Sequence, residues 1–371
     1  MKLGIAILWL GVAGAQQLPK AVPPAPVAAT TVPKWRVKFF YDKNESAMEF
    51  RELLTPAEGM VCAFGALAEE GRKPHGVMVN SRDGGKTWQT IKLPDVPLAA
   101  DFIDRQNGWL VANDAVHRTR DGGLTWRRAS KLKGVRRVKF LTAERGFAVG
   151  YPKAVWSTGD GGGTWEKVPE AALPEAKAEN TAYNTIAFAN AEHGVITGFS
   201  RPPRRDDTRA PPWMDPEVQK RLVPNLTVVL QTMDGGKTWK PHVASAFGQL
   251  TKTVFGAAGL ALMDYSAGTF SYASEVINLA NSKSAFADQE KAISDLAFEA
   301  GGRAWISGIE VPGKLNHLPI PSRVVVLQSI DYQHWYGTPV DYRAVANRVH
   351  ISFAGHQGWL ATDTGMILAL E

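Results

Sequence analysis

"SRDGGKTW" occupies Ser81 to Trp88, and "TRDGGLTW" occupies Thr119 to Trp126. Two more copies follow, "TGDGGGTW" at Thr158 to Trp165 and "TMDGGKTW" at Thr232 to Trp239. Their aspartates, Asp83, Asp121, Asp160 and Asp234, fall one or two steps of about forty residues apart, the scale of one unit in a repeat fold. A shortened fifth copy, "SIDYQHW" at Ser329 to Trp335, lacks the glycine pair. The composition of the box is turn chemistry. An aspartate accepts hydrogen bonds from nearby backbone N–H groups, and glycine adopts backbone angles closed to other residues. Thr can cap the turn, while Trp88, Trp126, Trp165 and Trp239 supply a ring to pack over the hairpin. A catalytic site is needed once, whereas a turn is needed in every unit, so repetition assigns the box to the scaffold.

Working outward from the boxes, a second signature precedes them: an alternating apolar strand, a turn, then a Gly-led strand of small and aromatic residues. "ADFIDRQNGWLVAN" (100–113), "VKFLTAERGFAVG" (138–150), "IAFANAEHGVITG" (186–198), "LAFEAGGRAWISG" (296–308) and "ISFAGHQGWLATD" (351–363) show it. Units of several period-two strands separated by turns predict four-stranded antiparallel blades. These fall near 48–94, 98–132, 134–169, 183–243, 250–283 and 292–340. The stretch 346–371 has room for three strands, and "KWRVKFF" (34–40) offers the fourth. Pairing the first strand with the last three closes the ring and removes both exposed edges. The expected fold is an all-β, seven-bladed β-propeller, with six or eight blades as alternatives.

The boxes resemble the Asp-box, or bacterial neuraminidase repeat, of sialidases, sortilin-type receptors and the photosystem II stability/assembly factor family. The resemblance covers roughly residues 34–371, is strongest over 98–169, and is closest to the assembly-factor type of propeller. It implies that each box lies on the turn joining the third and fourth strands of a blade, opposite the usual binding face. It is specific for fold and poor for function, because one fold hosts many functions.

The flanks and composition narrow the functional classes. "MKLGIAILWLGVAGA" (1–15) places Lys2 before a short apolar run that ends in Ala13-Gly14-Ala15, the pattern of a secretory signal peptide. The run is too short to span a bilayer, which takes roughly 20 apolar residues. Residues 16–33 are Pro/Ala-rich and read as an extended linker, leaving 34–371 as one propeller domain, secreted or periplasmic. The lone cysteine, Cys62, sits in an apolar strand and reads as an inert buried thiol. A net charge of +6 favours anionic partners by long-range attraction. Basic residues never run beyond pairs and no nucleic-acid module is recognisable, which argues against nucleic-acid binding. The boxes lack phosphate-loop spacing and the alternating carboxylates of a calcium loop, and the eight histidines form no metal-binding pair. No cofactor or metal is expected. "SAFADQEKAISD" (284–295) reads as a short helix between blades five and six.

Function is then expected on the loops of the face opposite the boxes, since binding residues concentrate on loops held by a rigid scaffold. The longest insertion, 199–224, carries Arg201, Arg204, Arg205, Arg209 and the apolar Trp213. One reading makes it a basic rim that captures a protein, a peptide or an anionic glycan, arginine being suited to bidentate carboxylate contact. The other makes it a solvated loop whose arginines pair with Asp206 and Asp207. The leading expectation is a monomeric, non-enzymatic scaffold, an assembly or stability factor. The alternative is a sialidase-like glycoside hydrolase, in which the resemblance puts Arg51 of "EFRELLTPAEGMVCAF" at a substrate-binding position. Glycoside hydrolysis calls for two carboxylates, or a tyrosine activated by a glutamate. Glu69, Glu70, Tyr265 and Glu275 are the right types, yet their spacing pairs none of them.

Overall fold

In the computed structural model, which describes residues 33–201, 225–265, 270–311 and 321–371, seven antiparallel sheets follow one another along the chain. Blade 1 comprises Ser46–Ala57, Met60–Glu69, His75–Ser81 and Gln89–Lys92. Blades 2 to 6 repeat the order, beginning with the strands Ala99–Phe102, Val135–Phe140, Thr181–Phe188, Gly248–Phe255 and Lys291–Phe298. Blade 7 is built from Val349–Ala354, Gln357–Thr362 and Met366–Leu370, and its outer strand is Trp35–Phe40. The chain therefore forms the seven-bladed propeller expected, closed by its own first strand.

The signature around each Gly-led strand has a steric origin. Phe102, Phe140 and Phe188 end the first strands of blades 2, 3 and 4, and Phe353 is the last but one in that of blade 7; they lie directly opposite Gly108, Gly146, Gly194 and Gly358. A Cβ added at any of these glycines would come within 2.5 or 2.6 Å of the opposing ring. The glycine leaves the space in which the ring lies flat. Next in the chain come Trp109, Phe147, Val195 and Trp359, all buried. The Gly-led strands are buried on both faces because each sheet is covered by a neighbouring blade on either side, so they read as apolar runs rather than alternations.

The core clusters straddle neighbouring blades. Trp109 of blade 2 stacks on Phe140 of blade 3 at 3.6 Å between ring centroids, and its indole N–H donates to the Gly161 carbonyl. At the closure, Trp35, Trp305 and Phe353 bring together three rings from blades 6 and 7. The Trp35 backbone is clamped too, since its N–H donates to Pro339 O and its carbonyl accepts from Asp341 N–H. The residues 339–341 belong to a strap that divides the outer strand of blade 6 into two short pieces.

The helix expected over 284–295 does not form. Lys283–Ala287 closes blade 5 and Lys291–Phe298 opens blade 6. Between them Asp288 accepts a hydrogen bond from Glu290 N–H and pairs with Lys291, which makes a turn. Buried Ile293 and Asp295 then belong to a strand facing the ring interior. The charges that suggested a solvated helical face sit on this turn. Cys62 is fully buried, and burial pushes its thiol up to about 12, the state of an inert core residue.

Candidate functional site

Each Ser/Thr-x-Asp-Gly-Gly segment lies between the third and fourth strands of its blade. In the first copy, Lys86 N–H, Thr87 N–H and the Ser81 hydroxyl all donate to one oxygen of Asp83, and the Thr87 hydroxyl donates to the other at 2.6 Å. Gly84 and Gly85 take positive φ, +74° and +81°. Asp121, Asp160 and Asp234 repeat the pattern, and Asp331 of the shortened copy accepts from His334 instead. Donation by Thr87 and Ser81 holds the Asp83 carboxyl far below the usual carboxylate range. These carboxylates are spent on their own turns.

The box tryptophans do more than cover a hairpin, because each docks on the preceding blade. Trp88 meets Phe39 and Trp359 of blade 7, Trp126 meets Phe64 of blade 1, and Trp239 meets Phe147 of blade 3. The indole N–H of Trp165 donates to Ser130 Oγ of blade 2. Arg82 and Arg145 add hydrogen bonds to the backbone of the following box, at Gly122 O and Gly235 O. The box face is a continuous structural seam.

In an antiparallel blade the first strand begins at the edge away from the third-to-fourth turn, so the opposite face is framed by first-strand starts. Five of these strands carry a β-bulge, at Phe50/Glu52, Val135/Arg137, Tyr183/Thr185, Leu250/Lys252 and Ile293/Asp295. A bulge inserts one residue and re-aims the side chains beside it. The residues so turned include Arg51, Glu52, Arg137, Thr185, Thr251, Lys252, Ser294 and Asp295. With Asp264, Tyr265, Arg348 and His350 they line a cavity of about 420 Å³.

Ion pairs join the blades at this cavity and beside it. Arg137 Nη1 lies 3.1 Å from Glu52, Lys139 Nζ lies 2.8 Å from Asp101, and Lys252 pairs with Asp295. Asp101 also accepts Phe140 N–H, and Asp295 accepts Leu296 and Ile351 N–H, so both carboxylates staple first strands together. Burial pushes His350 below its usual value, with Asp295 acting in opposition. Burial likewise pushes Asp264 up, opposed by Arg348. Arg348 is exposed and makes no ion pair among the described residues.

Of the residues singled out from sequence, Arg51 reaches this cavity, where it forms a two-point contact with Glu49. Glu69 and Glu70 do not line it; Glu69 pairs with Arg72 at the outer rim of blade 1. Arg201 is exposed, over the ring of Phe199, with its Nε toward Asn225 Oδ1 at 3.4 Å. Arg204, Arg205, Arg209 and Trp213 lie outside the described residues. Tyr265 and Glu275, which spacing alone leaves unrelated, are joined by a hydrogen bond from the phenol to the carboxylate. The bulged residues had a signal in the sequence. An alternating strand breaks step where two apolar positions fall three apart, as in Phe50-Arg-Glu-Leu53, Val135-Arg-Arg-Val138, Tyr183-Asn-Thr-Ile186 and Ile293-Ser-Asp-Leu296.

No protein-family model matches the chain, and no curated protein matches it. Solved structures match over most of its length. YCF48 bound to D1 peptide superimposes with a TM-score of 0.58 at 17% identity, covering 93% of this chain and 96% of that one. YCF48 from Cyanidioschyzon merolae gives 0.56 at 14% identity, covering 92% and 99%. The WD40 β-propeller domain of Doa1 gives 0.52 at 7% identity, covering 91% and 96%. At these identities, what the chain shares with them is the propeller fold.

Proposed function

We propose that this protein is an exported propeller scaffold that holds a protein partner at the cavity mouth, on the face opposite the boxes, as an assembly or stability factor does. One observation carries the reading: the repeated polar residues are consumed by turns and blade contacts, while the opposite face gathers Arg51, Lys252 and the exposed Arg348 around an open cavity. Support comes from YCF48, a propeller of the same fold whose structure contains a bound D1 peptide. Residues 1–15 act as the export signal and 16–33 as a spacer, so the exported chain begins near residue 16. In this reading the insertion 199–224 contributes the cationic Arg201, Arg204, Arg205 and Arg209 and the apolar Trp213 to partner binding.

Photo-crosslinking tests this directly. A photoreactive side chain at Thr251, on the cavity wall, is expected to capture a partner protein in the native compartment, while the same probe at Lys86 in a box captures none. Equal capture at both positions, or capture at Lys86 alone, contradicts the assignment.

The Tyr265–Glu275 hydrogen bond supports a second reading, a glycoside hydrolase with a tyrosine nucleophile and Arg51 as a substrate contact. It ranks second because burial, together with the hydrogen bond and charge of Glu275, pushes the Tyr265 phenol well above its usual value. A protonated phenol attacks only if Glu275 takes its proton in the same step, whereas the binding reading requires no such transfer. Turnover of fluorogenic glycosides that disappears in Tyr265→Phe would put this reading first.

A further inference from the structure

Among the described residues, blade 5 offers something at the cavity mouth that no other blade does. Tyr265 ends its second strand, Tyr272 precedes its third strand (Ser274–Asn278), and Phe247 precedes its first. Phe270 sits among them, 4.4 Å from Tyr265, 5.6 Å from Tyr272 and 6.1 Å from Phe247 by ring centroids. Phe247 and Phe270 are 41% and 40% exposed, and among the described residues no other ring contact joins two exposed aromatic side chains. A single exposed ring needs no explanation, but a contiguous aromatic patch beside a cavity marks a contact surface. Tyr265 connects the patch to the cavity, since the same ring lines the wall shared with Lys252 and Arg348.

Resting on the reading that this face holds a protein partner, we propose that the Phe247–Tyr265–Phe270–Tyr272 platform receives one aromatic or aliphatic side chain of an acidic peptide segment. Charge complementarity selects the occupant. A segment with an apolar residue on the platform carries its neighbours over the mouth, where Arg348 is exposed and makes no ion pair among the described residues. A carboxylate there gains a bidentate partner. A basic residue would instead meet Arg348 and Lys252 on a chain of net charge +6. Glu275, which accepts the Tyr265 hydroxyl, is not part of the cavity lining, and Asp264, which is, is pushed up by burial against the opposing charge of Arg348. The rings supply an anchor and the guanidinium fixes its direction, the division common at binding hot spots.

The test uses a displayed library of random peptides panned against the purified full chain at low salt. The expected result is enrichment of peptides with Phe, Tyr, Trp or Leu within a few residues of Asp or Glu. Phe270→Ser should weaken an enriched peptide tenfold or more, yet leave unchanged its variant with Ala at the apolar position. Phe247→Ser carries the same test if Phe270→Ser does not fold. Enrichment of acidic peptides with no apolar preference overturns the platform while leaving the partner-binding reading intact. Enrichment unaffected by Arg348→Ala overturns the acidic segment as occupant and leaves the partner-binding reading intact, and no enrichment overturns both.

Discussion

The two faces of the ring are built on opposite plans. On one, blades 1 to 4 repeat a Ser/Thr, an Asp, two Gly and a Thr, and blade 6 improvises the same turn with Asp331 and His334. On the other, the paired residues at the bulges are Arg51-Glu52, Arg136-Arg137, Asn184-Thr185, Thr251-Lys252 and Ser294-Asp295, alike in backbone and different in chemistry. A geometric need common to all blades selects the same residues each time. A single asymmetric partner selects different residues in each blade. Sameness on the box face therefore marks stability, and divergence at the mouth is what the proposed recognition of one partner calls for.

Breaking the structural seam should cost the most stability and leave recognition alone. Trp109→Ala removes a ring stacked on Phe140 and a hydrogen bond to Gly161, which should lower unfolding free energy by about 3–5 kcal/mol in urea titration. Asp121→Ala frees the turn donors of Thr119 and Thr125 and should cost about 1–2 kcal/mol, a cap-like loss, with peptide affinity unchanged. Gly122 has φ +71°, and a Cβ there would lie 2.4 Å from the Arg105 carbonyl oxygen. Gly122→Ala should therefore destabilise by at least as much as Asp121→Ala.

Acid should loosen the ring in two stages, read as the melting temperature against pH. Burial holds His117 and His350 below their usual values, so the unfolded chain takes up protons that the folded chain refuses. Their contribution is complete above about pH 6.5 and declines below it. The box carboxylates, depressed in the fold, contribute fully above the unfolded Asp value of roughly 3.9 and lose that contribution as pH falls further. Asp121→Asn should shrink the second stage and spare the first.

The fold was legible because its devices are local. Four boxes, the Phe-to-Gly spacing and a leftover three-strand end with one strand at the start were enough to give seven blades. The short helix at 284–295 was misread because Asp288 and Lys291 mark a tight turn as readily as a helix, and only pairing with the neighbouring strands decides. The mouth was less legible. Arg51 came through a family resemblance, whereas Arg137, Lys252 and Arg348 converge only when the ring closes. The pairing of Tyr265 with Glu275 likewise depends on the hairpin that folds one strand of blade 5 beside the next.

The smallest stability effect should come from the mouth itself. Arg348→Glu alters an exposed side chain that makes no ion pair among the described residues, so unfolding free energy should stay within about 0.5 kcal/mol of the unaltered chain. Measuring unfolding free energy and affinity for one enriched peptide on both Asp121→Ala and Arg348→Glu tests the central claim most directly. The account predicts that Asp121→Ala loses stability with its affinity intact, and that Arg348→Glu keeps its stability and loses affinity tenfold or more. Loss of affinity in Asp121→Ala at unchanged stability, with Arg348→Glu binding normally, would contradict it.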